Sequence, residues 1–244
     1  MSSCICSGGG RIFLMVEISK YLFESLVTDG EFNFYRGRGT EDLRSILVVA
    51  PVLRGPDREA VRRLEHEYSL LEGLELDCAL KPLTLIRHEG RIMLVLEDPG
   101  SGVIGLDRLL GQPMDLGRFL RIGINLAAGL RELHHQGLIH KDIKPAHILV
   151  DTVTDKVWFT GFGIASLLPR EHQVLEPPEV IAGTLAYMAP EQTGRMNRSI
   201  DSRSDLYSLG ITLYQMLTGS LPFIASEPIE WIHSHIARSP VPPH

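Results

Sequence analysis

The apolar residues of this chain fall into two rhythms. A run at 45–50 (Ser-Ile-Leu-Val-Val-Ala) and stretches at 83–87 and 91–96 read as strands, the last two flanking His88-Glu89-Gly90 as a hairpin with glycine in its turn. Between them Ala60, Val61, Leu64, Tyr68 and Leu71 recur at helical spacing behind Gly55-Pro56-Asp57, a start signal with acidic residues in the first turn. Glu97-Asp98-Pro99-Gly100 breaks the pattern where a linker between lobes would lie. Beyond it the spacing is helical. Residues 116–136 predict a helix that buries Phe119, Leu120, Leu126, Ala127, Leu130 and Leu133 and that Gly137 is placed to end. A long helix opens around Asp205, and another begins across 226–231.

Composition narrows the class. With 244 residues, 44% hydrophobic and 22% charged, the chain can bury a substantial core. Its formal charge of −6 argues against an electrostatic grip on nucleic acid or anionic membrane. No apolar run is long enough to span a bilayer, since the stretch from Ile12 to Val16 is closed by Glu17, and the cytoplasm is the default location. Cys4, Cys6 and Cys78 make no disulfide framework. Residues 1–18 read as a disordered tail.

Candidate chemistry is concentrated in three blocks, HKDIKPAHILV from His140, TGFGIAS from Thr160 and GTLAYMAPE from Gly183. His140-Lys141-Asp142 stands for H-R-D and Lys144-Pro145 continues D-x-K-P. Ala189-Pro190-Glu191 matches A-P-E, and Asp205-Leu206-Tyr207-Ser208-Leu209-Gly210 matches D-x-x-S-x-G. This ordered series resembles the protein kinase superfamily, on its Ser/Thr side, from about Tyr21 to the end of the chain. The resemblance implies an α+β, two-lobed fold, with a small β-rich N-lobe over about 19–98 and a mainly helical C-lobe over about 99–244 that is incomplete at its C-terminus. It implies ATP and Mg²⁺ as cofactors, Asp142 as the base toward a substrate hydroxyl and Lys144 beside it. Glu67 falls at the ion-pairing glutamate of the first helix. Thr184 is expected to touch Asp142 and Lys144, and Asp205 to accept backbone hydrogen bonds from the loop around His140. Glu191 is expected to lack the arginine that usually pairs with it.

Against that pattern several parts are missing. His147 occupies the place of the metal-binding Asn, and Gly161-Phe162-Gly163 the place of D-F-G. Mg²⁺ requires hard oxygen ligands, which neither residue supplies, so the metal site is expected to be empty or weakened, with His147 a ligand at most for a softer ion such as Mn²⁺. In the phosphate loop Val27, Asp29 and Phe32 take the three glycine places, Phe34 the valine place, and only Gly30 remains. Asp29 would direct negative charge at a phosphate. No lysine lies between Lys20 and Lys81, so the strand lysine is absent and Glu67 is expected to be solvated or repartnered, for instance by Arg54. Nucleotide contacts, if made, fall to Gly30 and to the backbone near Glu97. Between Leu167 and Gly183 there is no Ser, Thr or Tyr to phosphorylate, while Pro169, Pro177 and Pro178 restrict that loop.

Two functions stay open on this reading: a catalytically impaired signalling module that binds neighbouring domains or partners, and a weak ATP-dependent Ser/Thr kinase using Asp142. The blocks after Gly183 resemble the N-terminal kinase-like domain of large bacterial multidomain signalling proteins. That implies further domains of such a protein as partners.

Overall fold

The computed structural model describes residues 18–41, 44–52, 57–167, 183–195 and 198–243. The tail before Ile18, Arg54 and the Gly55-Pro56 start signal, and the proline-bearing loop at 168–182 lie outside the described residues.

Five strands, β1 (Tyr21–Thr28), β2 (Phe32–Gly39), β3 (Ser45–Pro51), β4 (Pro82–His88) and β5 (Arg91–Glu97), form one antiparallel sheet in the order β1-β2-β3-β5-β4. Helix α1 (Arg58–Leu71) packs on it. Asp57 is the N-cap of α1, its carboxylate accepting the N–H groups of Glu59 and Ala60. The β4–β5 turn is Glu89-Gly90, both at positive φ, which glycine accommodates without a Cβ penalty. In β1 the register slips between Ser25 and Val27, a bulge next to the β1–β2 turn.

The second part is mainly helical. It contains β6 (Val103–Gly105), α2 (Leu116–His135), β7 (Leu138–Ile139), β8 (Ile148–Asp151), β9 (Val157–Phe159), β10 (Ser166–Leu167), α3 (Ser202–Thr218) and α4 (Pro228–Ala237). The strands make two small sheets, β6-β8-β9 and β10-β7. This is the two-lobed α+β architecture anticipated from the sequence.

The face that α2 buries differs from the one expected. Ile122, Leu126, Gly129, Leu130 and Leu133 point inward, whereas Leu120 and Ala127 are exposed. One residue along a helix is a 100° rotation, so a stripe anchored on Ile122 and Leu126 carries Leu120 outward with Leu116 and Ile124. Gly137, at φ +77, follows the helix as expected.

The apolar interior does not stop at the boundary between the lobes. One cluster joins Leu26, Val27, Phe32 and Phe34 of the first hairpin to Leu47 and Val49 of β3, Leu94 and Leu96 of β5, and then to Val103 and Leu149 of the helical part.

Candidate functional site

The site lies where the β1–β2 turn meets the loop between β7 and β8. Asp205, fully buried near the start of α3, holds that loop in shape: its carboxylate accepts the N–H groups of His140 (2.9 Å) and Lys141 (2.8 Å) and meets His134 Nε2 at 2.8 Å. The peptide it grips includes Lys141 at φ +68, a conformation non-glycine residues adopt at a cost. His140 is buried against the Phe162 ring, centroids 4.5 Å apart, and burial lowers its pKa to about 4. Its Nε2 donates to the Thr160 carbonyl and its Nδ1 accepts the Asp142 N–H, the pattern of a neutral ring.

Asp142 has no oxygen left free. Oδ1 accepts the Thr184 N–H at 2.9 Å, and Oδ2 lies 3.2 Å from Lys144 Nζ and 3.3 Å from His147 Nδ1. Burial opposes ionisation, but the charges of His147 and Lys144 and the Thr184 N–H outweigh it and keep the carboxyl below its usual range. Lys144 Nζ also donates to Thr184 Oγ1 at 2.7 Å. Glu191 accepts from Ser204 Oγ at 2.6 Å, so a hydroxyl stands where no partner was anticipated.

His147 stands between two acceptors. Its Nδ1 donates to the Asp142 carbonyl at 2.9 Å, and its Nε2 faces Asp29 Oδ2 at 2.8 Å. Neither nitrogen offers a lone pair outward, so the ring is not set to ligate Mn²⁺ or any other ion. Gly161, at φ +78, has no room for a side chain: a Cβ there would lie 2.6 Å from the His147 ring. The residues at the two degenerate metal positions therefore exclude a carboxylate between them and do not fit Mg²⁺.

Asp29 is turned inward, not toward an open phosphate loop. Its Oδ1 accepts the N–H groups of Glu31 (2.9 Å) and Phe32 (2.6 Å), and its side chain, 2% exposed, reaches His147 and, at 3.5 Å, Lys144 Nζ. Burial opposes its ionisation, yet the hydrogen bond and charge of His147, the charge of Lys144 and the Phe32 N–H together hold its carboxyl well below the usual range. Gly30 is exposed at the tip of the turn, φ +94, away from this contact.

Of the two outcomes expected for Glu67, solvated or repartnered, the structure shows the second, with a backbone N–H and not Arg54 as the partner described. Glu67 is 4% exposed, its Oε1 accepts the Gly161 N–H at 3.2 Å, and burial pushes its carboxyl up to about 7. With Val49 on β3 instead of a lysine, both residues line the same small cavity. That cavity, bounded also by Asp29, Phe34, Asp142, His147 and Gly161, measures about 20 Å³. Such a space holds about one water, whereas small-molecule pockets run from about 300 Å³ upward.

Near Glu97 one backbone donor and one carboxylate are already engaged. The Glu97 N–H donates to the Lys81 carbonyl at 2.9 Å, Pro99 has no N–H, and Asp98 is engaged by Arg36. Arg36 was not anticipated as a site residue. It is 2% exposed on β2, pairs with Asp98 through Nε (2.8 Å) and Nη2 (3.1 Å), and donates to the carbonyls of Gly100 (2.8 Å) and Val103 (3.0 Å). The alternation Phe32, Phe34, Arg36 was the available signal, because a strand sends every second side chain to one face.

Comparison with known proteins agrees with this architecture. The model of the protein kinase domain family matches residues 48–240. Serine/threonine-protein kinase pkn3 of Myxococcus xanthus is 30% identical over 235 residues, covering 92% of this chain and 42% of that protein. Serine/threonine-protein kinase pkn2 of the same organism is 29% identical over 235 residues, 90% of this chain and 28% of that protein. Serine/threonine-protein kinase PknB of Mycobacterium leprae is 38% identical over 131 residues, 54% of this chain and 20% of that protein. The chain thus spans less than half the length of each of these relatives.

Proposed function

This chain belongs to the protein kinase family, and on that premise we propose that it is a Ser/Thr-kinase-like signalling module impaired in phosphoryl transfer. It acts by binding neighbouring domains or partner proteins, in the cytoplasm. Among the described residues no helix is long and apolar enough to cross a membrane.

The observation that carries this reading is the filled cleft. Phe34, Val49, Asp29 and His147 close on a cavity of about 20 Å³, where the chemistry of the family needs a nucleotide and its metal. Removing one transition-state stabiliser costs about 10²–10³ in rate, and here the strand lysine and both metal positions are replaced together. Such losses do not add, but they act on the same step.

The weak-kinase reading is favoured by one arrangement, the intact contacts among Asp142, Lys144 and Thr184. Incubation with labelled ATP and Mg²⁺ or Mn²⁺ separates the two. The expected result is no transfer above background. Transfer that Asp142→Asn abolishes establishes the weak kinase instead.

A further inference from the structure

The β1–β2 turn carries two carboxylates around one glycine, and each is paired with a base of the cleft. Asp29 meets His147 Nε2 at 2.8 Å and Lys144 Nζ at 3.5 Å, and Glu31 Oε2 meets Arg63 Nη1 at 2.5 Å. The same hairpin carries the bulge between Ser25 and Val27, and Phe32 and Phe34 anchor it in the core. Three basic side chains, from α1, the loop before β8 and its short helical turn, thus converge on a place where the family's pattern calls for a metal ion.

The charges on the far side are few. Asp142 faces His147 and Lys144, and Glu67 lies behind Gly161. With glycine at 161 no carboxylate there opposes an anion, and the His147 ring fills the space such a side chain needs. The result is a site whose basic groups are shared between the protein's own turn, Asp142 and, for Arg63, Glu59 at 3.5 Å. Asp29 sits there as a tethered anion, its geometry fixed by the N–H groups of Glu31 and Phe32.

We propose that the Asp29-Gly30-Glu31 turn is an intrachain stand-in for a phosphate, covering an anion site made by His147, Lys144 and Arg63, and that a phosphate-bearing ligand binds there without a divalent ion when the turn swings out. The inference rests on the reading that metal-dependent transfer is lost. The movement hinges at Gly30, which is exposed and has no heavy atom within 4 Å of where a Cβ would lie, and it breaks the bonds from the Asp29 N–H to the Phe32 carbonyl and from the Val52 N–H to the Glu31 carbonyl. A bidentate or tridentate oxyanion matches donors on His, Lys and Arg better than one carboxylate oxygen does.

Calorimetric titration of inorganic pyrophosphate into the chain in EDTA tests this. Asp29→Asn keeps an oxygen for the Glu31 and Phe32 N–H groups and removes the charge, so the turn is preserved while its hold on His147 weakens. The expected result is binding at least tenfold tighter than in the parent chain, unchanged by added Mg²⁺, and lost when His147→Ala is combined with it. Glu31→Gln, which breaks only the Arg63 pair, is expected to give a smaller gain and serves if the first variant does not fold. ATP in EDTA is the second arm, and pyrophosphate binding is expected whether or not ATP binds more tightly. Binding that requires Mg²⁺, binding that survives loss of His147, ATP binding without pyrophosphate binding, or no pyrophosphate binding in either folded variant overturns the proposal. The labelled-ATP assay reads the premise separately: metal-dependent transfer there overturns the impaired-kinase reading and this inference with it, whereas a negative result in the titration overturns this inference and leaves that reading standing.

Discussion

At the scale of single residues the site is defined by pairs that exclude their alternatives. Gly161 and His147 are one such pair, since a Cβ at 161 lies 2.6 Å from the imidazole and the backbone there is at φ +78. Gly161→Asp is expected to destabilise the chain by at least the ~1–2 kcal/mol that a left-handed conformation costs an L-residue. Combined with His147→Asn, which vacates the ring's space, the loss is expected to be smaller than the sum by about 1 kcal/mol or more, read by denaturant melts of the four proteins. A simple sum would show that the ring and the missing side chain are independent. Glu67 makes a different prediction. Its folded pKa of about 7 lies above the ordinary 4.5, so the folded chain holds that proton more tightly and loses stability as pH rises between those values. The full loss is about 3 kcal/mol at 1.36 kcal/mol per unit. His140 has the opposite sign, its value lowered by burial from 6.5 to about 4, so it costs stability as pH falls through that window and masks part of the Glu67 effect. Melting temperatures of Glu67→Gln and the parent are therefore expected to coincide near pH 4.5 and to separate in the variant's favour above pH 7. A pH-independent difference would mean that Glu67 is not the titrating group.

At the scale of elements the decisive connection is the one β2 makes to the segment between β5 and β6. Arg36 and Asp98 form a buried pair, 2% and 0% exposed at their side chains, whose remaining donors reach the carbonyls of Gly100 and Val103. Removing one partner of a buried pair leaves an uncompensated charge and costs about 3–5 kcal/mol, while an apolar replacement of both is far milder. Arg36→Met is expected to show that loss in chemical denaturation, and Arg36→Met with Asp98→Leu to recover most of it. Equal losses in both would assign the effect to packing rather than charge. The sequence reveals elements better than faces. The Asp57 cap and the Glu89-Gly90 turn are written locally, and both the helix and the hairpin they bound were legible. The phase of α2 was not, because Phe119, Leu120, Ile122 and Ile124 offer more than one apolar stripe and only the packing of Ile122 and Leu126 selects one. Arg36 reads as a surface arginine until Asp98, 62 positions away, is brought beside it.

At the scale of the whole molecule, what was legible was the architecture and the list of missing parts. The ordered motifs predict the two lobes, and the absence of lysine between Lys20 and Lys81 is visible by inspection. The filling of that space was not visible, because it depends on which way Asp29, Phe34 and Glu67 turn in the folded chain. Asp29 reads as a charge directed at a phosphate; it is turned inward instead by His147, 118 positions away. Glu67 reads as a group in need of water or a new partner, and which partner it finds, the Gly161 N–H, is set 94 positions away. The shared core from Val27 to Leu149 has a consequence for the mutational paths open to this protein. An aspartate at 161 meets the imidazole, a lysine at 49 enters a position 2% exposed beside Leu64 and Phe34, and a glycine at 32 empties part of the interior. Each replacement toward the family's pattern is opposed by packing already in place. The packed cleft therefore resists change one residue at a time: placing the family's residues at 161, 49 and 32 requires several compensating substitutions at once.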